Sequence, residues 1–311
     1  MAHSSSSGGS SNFLYDFLAG GVSGALAKTI AAPIERVKLL LQTQHTNPKL
    51  IARPYAGILD CFKRVFVEEG ALSFWRGNWA NVIRYFPTQA INFSVKDALN
   101  RQFLAGVDAK KQPGRFFAGS LLSGGIAGSI GLLIVYPLDF SRTRLAADIG
   151  KAANERQFKG LVDCMGQIIK TDGITGIYQG FGISVVGIFV YRALYFGGYD
   201  AGKRAIWGDD AAQRNSSILA RFFFAQFVVS TSETLAYPLD TVRRRLMMQA
   251  GQKGNLEYQG TVDCFSKILS KEGPTGFFKG NLSNIWRSVG SSLVLVFYDE
   301  FQKLMASGGK H

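Results

Sequence analysis

Long apolar runs alternate with polar, basic stretches along this chain of 311 residues. The cleanest run, Phe116 to Leu138, has 23 residues with Tyr136 as its one ionisable side chain, long enough to cross a bilayer. Five further runs span 13–33, 79–99, 181–199, 222–239 and 282–298. Each carries charge, with Asp16, Lys28, Arg84, Lys96, Arg192, Glu233 and Arg287 among the charged residues. Charge inside a membrane span is costly. The runs therefore read either as core helices of a soluble protein or as six spans whose charges face a shared water-filled cavity. Gly124 and Gly128 have the small-xxx-small spacing of close helix contact. Stretches such as 55–69 show helical apolar periodicity but are too short and polar to span, which predicts helices lying along the membrane surface.

An internal repeat favours the membrane reading. Tyr55-Ala56-Gly57-Ile58-Leu59-Asp60-Cys61 returns as Phe158-Lys159-Gly160-Leu161-Val162-Asp163-Cys164 and as Tyr258-Gln259-Gly260-Thr261-Val262-Asp263-Cys264, at spacings of 103 and 100 residues. Glu69-Gly70 recurs as Asp172-Gly173 and Glu272-Gly273, and Pro33-Ile34-Glu35 as Pro137-Leu138-Asp139 and Pro238-Leu239-Asp240. Three motifs in one order at matching offsets define a tandem triplication. The expected fold is an all-α membrane protein. Six transmembrane helices form three repeats of about 100 residues (13–107, 114–207 and 217–306) with pseudo-threefold symmetry, plus three short surface helices. Residues 1–12, Ser/Gly-rich, read as a disordered tail.

Composition narrows the chemistry. A net charge of +13 calls for anionic partners: nucleic acid, an anionic membrane or small polyanions. A nucleic-acid binder would gather that charge on a soluble face, which this distribution does not do, so no nucleic acid is expected. Three widely separated cysteines make neither a disulfide framework nor a zinc site, and three histidines leave little for metal or imidazole catalysis. No enzyme activity, cofactor or metal is expected.

Each repeat's proline is followed at +2 by an acid and at +5 by a base: Glu35/Lys38, Asp139/Arg142 and Asp240/Arg243. Three apart on a helix, they suit ordinary intrahelical pairs. Around a threefold axis they suit a ring as well, Glu35–Arg142, Asp139–Arg243 and Asp240–Lys38, closing one end of a cavity. Gln42 would hydrogen-bond beneath that ring.

The Pro-x-acid-x-x-base triplet, the acid-Gly-xxxx-aromatic-basic-Gly triplet and the six-run layout together resemble the mitochondrial carrier family, over roughly residues 13–305. Arg243-Arg244-Arg245-Leu246-Met247-Met248 resembles the signature of the branch that carries adenine nucleotides, with Leu246 where methionine is usual. The resemblance implies one-for-one exchange of ADP and ATP across the mitochondrial inner membrane by alternating access, in a monomeric transport unit able to associate with respiratory complexes. A carrier-fold structural subunit without transport is the rival reading.

The resemblance also implies roles. Arg84, Gly187 and Arg287 each lie seven residues after a motif glycine and match the family's substrate contact points. Lys28, Arg84 and Arg287 would hold phosphates, with Arg192 in reserve, and Gly187, Ile188 and Tyr191 would wall the adenine. The ring would be the matrix gate. A cytoplasmic gate would pair Asp97 with Lys203, Asp200 with Gln302 and Asp299 with Asn100, of which only the first is an ion pair. Gly57, Gly160, Gly260, Gly77, Gly180 and Gly280 would open helix N-termini that bind cardiolipin. Glu233 is the exception: five residues before its proline, as Lys28 is, it puts a carboxylate where the family's adenine-nucleotide branch has a small residue.

Overall fold

The computed structural model describes residues 10–108, 111–150, 155–208, 216–252 and 256–288, and no strand occurs among them. The long helices are α1 (Ser10–Thr43), α4 (Asn78–Phe103), α5 (Pro113–Ala147), α7 (Phe181–Trp207) and α8 (Ile218–Met248). A further helix, α10, is described over residues 281–288. The short helices are α2 (Pro48–Ile51), α3 (Ile58–Glu69), α6 (Leu161–Asp172) and α9 (Thr261–Glu272). Single 3₁₀ turns at Ala71–Trp75, Ile174–Tyr178 and Pro274–Phe278 follow α3, α6 and α9.

Two boundaries differ from the sequence reading. α1 begins at Ser10, so residues 10–12 belong to its first turn. Pro33, Pro137 and Pro238 lie inside α1, α5 and α8, which run on to 34, 35 and 31 residues. A proline removes one backbone hydrogen bond and bends a helix without having to end it. Each apolar run and the polar stretch after it thus form one rod. Among the described residues, Pro113–Ala147 and Ile174–Trp207 are long and apolar enough to cross a membrane.

Helix α4 packs on α5, α5 on α7 and α7 on α8, while α1 meets both α4 and α8. The α5 glycines allow one such seam, since a Cβ at Gly124 or Gly125 would overlap Arg192 or Phe189 of α7. Beneath the short helices sit three equivalent clusters. The first gathers Val37, Tyr55, Cys61 and Phe74; the second Phe140, Phe158, Cys164 and Ile177; the third Val242, Tyr258, Cys264 and Phe277. Each motif cysteine is a buried free thiol, its pKa pushed up to about 12 by burial. Such thiols pack as small apolar groups.

The acid of each acid-Gly motif fastens a short helix to its neighbours. Arg36 clasps both oxygens of Glu69, at 2.9 and 3.1 Å, and Arg76 joins it. Arg245 and Lys279 hold Glu272. In the second repeat Gln179 stands where the others have Arg76 and Lys279, and Asp172 accepts the Gly251 amide at 2.6 Å. Burial alone would raise the Glu272 carboxyl, but hydrogen bonds from Arg245 and Lys279 prevail and hold it at about 2.

The glycines opening α4 and α7, and the one preceding α10, meet one demand threefold. Gly77, Gly180 and Gly280 have φ of 76°, 79° and 86°. A Cβ on them would lie 2.9 Å from the carbonyl oxygens of Arg142, Arg243 and Lys38 respectively. Each glycine therefore abuts the backbone of a ring base in the next repeat.

Two measurements check this. Gly280→Ala should lower the thermal midpoint of the purified protein, with strain costing about 1–3 kcal/mol. Gly260→Ala should cost less, about 0.5–1 kcal/mol for the poorer N-cap, because φ there is extended and nothing lies within 4 Å. Glu272→Gln should melt below wild type at neutral pH. A carboxyl lowered on folding gives stability that is complete above its unfolded value, 4.5, and is lost as pH falls toward about 2. The gap between the two proteins should close over that interval.

Candidate functional site

The three proline-containing helices bring their acids and bases together. Arg142 pairs with Glu35, Arg243 with Asp139, and Lys38 with Asp240 at 3.0 Å, so each acid meets the base of the following repeat. Gln42 donates to Asp240 at 3.2 Å and to Thr241 at 3.0 Å. At 3.0 Å a unit pair gains about 5 kcal/mol at an effective dielectric near 20, before desolvation is subtracted. The desolvation term makes a buried pair weak net support for folding, whereas losing one partner strands the other and costs about 3–5 kcal/mol.

Groups that motif reading left aside complete the ring. Arg244 reaches Asp240 at 3.4 Å and Asp139 at 3.9 Å, bridging two of its acids. Tyr136 and Tyr237, each preceding a motif proline, donate to the carbonyls of Gln179 and Lys279 at 2.7 and 3.0 Å. Their rings lie under Arg243 and Lys38, with centroids 5.4 and 5.1 Å away. Ala32 occupies the equivalent place in the first repeat. Of the other signature residues, Arg245 holds Glu272, while Leu246 and Met247 fill the clusters under the short helices, and Met248 is buried.

Beside the ring lie two adjoining cavities. One of about 300 Å³ is lined by Gly187, Ile188, Tyr191, Glu233, Asn284 and Arg287, with Lys38, Asp240 and Arg243 at its ring end. The other, about 380 Å³, is lined by Arg84, Arg192, Ile188, Tyr191, Tyr195 and Phe196. Ile188 and Tyr191 border both, and Tyr191 stacks on Tyr195 at 6.1 Å. Arg192 lies along the Gly124–Gly128 face of α5.

The three cations proposed for phosphate each face a carboxylate. Lys28 is 3.9 Å from Glu35, Arg84 is 3.4 Å from Asp139, and Arg287 is 3.1 Å from Glu233. Asparagines one turn earlier assist two of them: Asn81 donates to Glu35 at 3.2 Å and accepts from Arg84 at 3.1 Å. Asn284 donates to Glu233 at 2.8 Å and accepts from Arg287 at 3.2 Å. Sequence reading missed both, although Asn81-Val82-Ile83-Arg84 and Asn284-Ile285-Trp286-Arg287 occupy matched places four residues after Gly77 and Gly280.

At the opposite end, Asp299 and Gln302 lie outside the described residues, as does the side chain of Asp97. Asn100 accepts from Ser123 at 2.7 Å, Asp200 is exposed and Lys203 is half-buried. Gly57 and Gly160, like Gly260, open short helices with no atom within 4 Å of an added Cβ.

A helical triplication closed at one end by charge, with a basic, aromatic-walled cavity beside the closure, defines a carrier architecture. The comparisons agree. The mitochondrial carrier protein family matches residues 9–106, 114–210 and 214–309, and the chain belongs to it. It is 54% identical over 296 residues to ADP/ATP translocase 3 of Bos taurus, covering 94% of this chain and 98% of that one. ADP/ATP translocase 2 of Rattus norvegicus is 55% identical over 294 residues, 94% and 97% of the two chains. Mitochondrial substrate carrier family protein ancA of Dictyostelium discoideum is 54% identical over 300 residues, 96% of each. The chain is a transport protein.

The ring geometry is open to a stability test. Asp139→Lys sets a cation against Arg84, Arg243 and Arg244 and should lower the thermal midpoint, by about 3–5 kcal/mol of stability. The swap Asp139→Arg with Arg243→Asp should recover part of that loss in the same melt.

Proposed function

We propose that this protein exchanges ADP for ATP across the mitochondrial inner membrane by alternating access, with six spans enclosing the cavity. The observation that carries the reading is the juxtaposition of Arg84 and Arg287 with an aromatic wall beside the ring, where Lys28 also reaches Glu35. Arg84 and Arg287 border cavity space that also presents Tyr191 and Ile188. A nucleotide needs both kinds of surface, since fixed cations match the phosphate oxygens and a flat apolar wall accepts the base. The relatives named as ADP/ATP translocases support the same substrates.

In this reading the ring is the matrix-side gate. Its acids hold the cations the substrate needs: Lys28 leans on Glu35, and Arg84 on Asp139. A phosphate that draws those cations inward weakens the contacts around the ring, which is how occupancy favours opening. A ligand shifts such an equilibrium only by its differential affinity for the two states. The opposite gate, around Asp97, Asp200 and Asp299, has one possible ion pair, with Lys203, and should open more readily. Cardiolipin headgroups would sit at the helix starts marked by the six motif glycines, because a helix N-terminus favours a phosphate. One observation favours the rival of a non-transporting structural subunit: Arg287 is already neutralised by Glu233.

Exchange in reconstituted vesicles decides. Wild type should take up ADP or ATP into ADP-loaded liposomes without magnesium, and Arg84→Ala or Arg287→Ala should reduce uptake by about a hundredfold or more. Full exchange by either variant refutes the assignment, and a folded wild type that exchanges nothing supports the structural subunit.

A further inference from the structure

We propose that Glu233 is a resident counter-ion that occupies the Arg287 phosphate contact in the empty protein and tunes the site against the more highly charged of its ligands. The proposal rests on the reading of Arg287 as a phosphate contact.

The geometry is a closed clasp between α8 and α10. Arg287 Nη2 lies 3.1 Å from Glu233 Oε1, and Asn284 Nδ2 donates to Glu233 Oε2 at 2.8 Å. Asn284 Oδ1 in turn accepts from Arg287 Nε at 3.3 Å and Nη2 at 3.2 Å. Both carboxylate oxygens and two guanidinium nitrogens are thereby engaged, and the clasp lines the same cavity as Tyr191.

The other two cations are held differently. Glu35 and Asp139 face Lys28 and Arg84, but each also pairs with a ring base, Arg142 or Arg243. An anion that draws Lys28 or Arg84 away leaves those acids neutralised. Among the described residues, drawing Arg287 away leaves Glu233 with the hydrogen bond from Asn284, a neutral donor, beside the incoming anion. The third ring acid, Asp240, has Lys38 and Arg244 and needs nothing from Arg287. Glu233 is thus a carboxylate in the cavity whose cation is also a proposed ligand contact.

Two consequences follow from charge. An incoming phosphate must displace Glu233, so affinity is lower than three cations alone would give. Repulsion from the stranded carboxylate grows with the ligand's negative charge, so ATP is disfavoured relative to ADP. Repulsion of this kind is a recognised route to specificity. A purely structural clasp predicts the opposite for affinity: breaking it would loosen α8 from α10 and weaken binding or leave it unchanged.

The test is equilibrium binding of ADP, ATP and inorganic tripolyphosphate to the purified full-length protein in lipid nanodiscs, at low and high salt. Glu233→Gln keeps the shape and removes the charge; Glu233→Gly removes the side chain. Both should tighten ATP by about tenfold and ADP by less, with the difference shrinking at high salt. Adding Arg287→Gln should abolish the gain. If tripolyphosphate tightens while neither nucleotide binds, the counter-ion role stands and the adenine-nucleotide reading falls. If nucleotides bind but their affinities are unchanged or weaker in both variants, the counter-ion role is overturned while the substrate reading survives. If no ligand responds to either substitution, the counter-ion role is likewise overturned.

Discussion

Everything near the cavity depends on three like-charged acids being brought together at one end of a threefold bundle. Glu35, Asp139 and Asp240 meet there, each two residues after a proline inside a long helix that continues past it. Convergence of three carboxylates is unfavourable unless a cation meets each. The bases that do so come from the neighbouring repeat, which couples the repeats pairwise into a closed circuit. The backbone must then approach closely, and at Gly77, Gly180 and Gly280 it does so against the carbonyls of the same bases. Charge pairing and close packing are two sides of one contact.

The circuit is not uniform. Two of its three pairs are buttressed by a tyrosine that binds the opposite backbone and lies under the base. The first repeat has Ala32 there, so Glu35–Arg142 lacks this support. Arg244 adds a cation between Asp139 and Asp240 but reaches neither oxygen of Glu35. That seam is braced by other groups: Lys28 and Asn81 also hold Glu35, and Arg36 and Asn47 donate to the carbonyls of Ala146 and Ala147 at 3.2 and 2.8 Å. Triplication supplies the framework, and single-residue departures from it distinguish the three seams.

The same departures shape the cavity. Lys28, Leu132 and Glu233 lie five residues before their prolines and so carry a cation, an apolar group and an anion at equivalent places. Arg84, Gly187 and Arg287 are equivalent in the second helices of the repeats, leaving the second repeat apolar at both levels. That is where Tyr191 and Ile188 form the shared wall of the two cavities. Cations therefore concentrate around the first and third repeats and the apolar surface on the second, a division suited to a ligand with one charged and one aromatic end.

Much of this was legible in the chain alone, because repeats and periodicities are properties of order along a sequence. The matching offsets of the three motifs, the six apolar runs, the acid and base beside each proline and the equivalence of Arg84, Gly187 and Arg287 needed no coordinates. The same reading left open whether an acid pairs within its own helix or with the next repeat, since three-residue spacing permits both. Only the packing of the rods decides that, by making one distance short. It also missed Asn81 and Asn284, because a neutral amide declares no partner until a carboxylate and a guanidinium stand beside it. The roles of Arg244 and of Arg192 are likewise matters of helix rotation, which turns one toward the ring and lays the other along a glycine face. Sequence order determined which groups are equivalent; the tertiary structure decided which of them touch, because contact depends on the angle and depth at which separate helices meet.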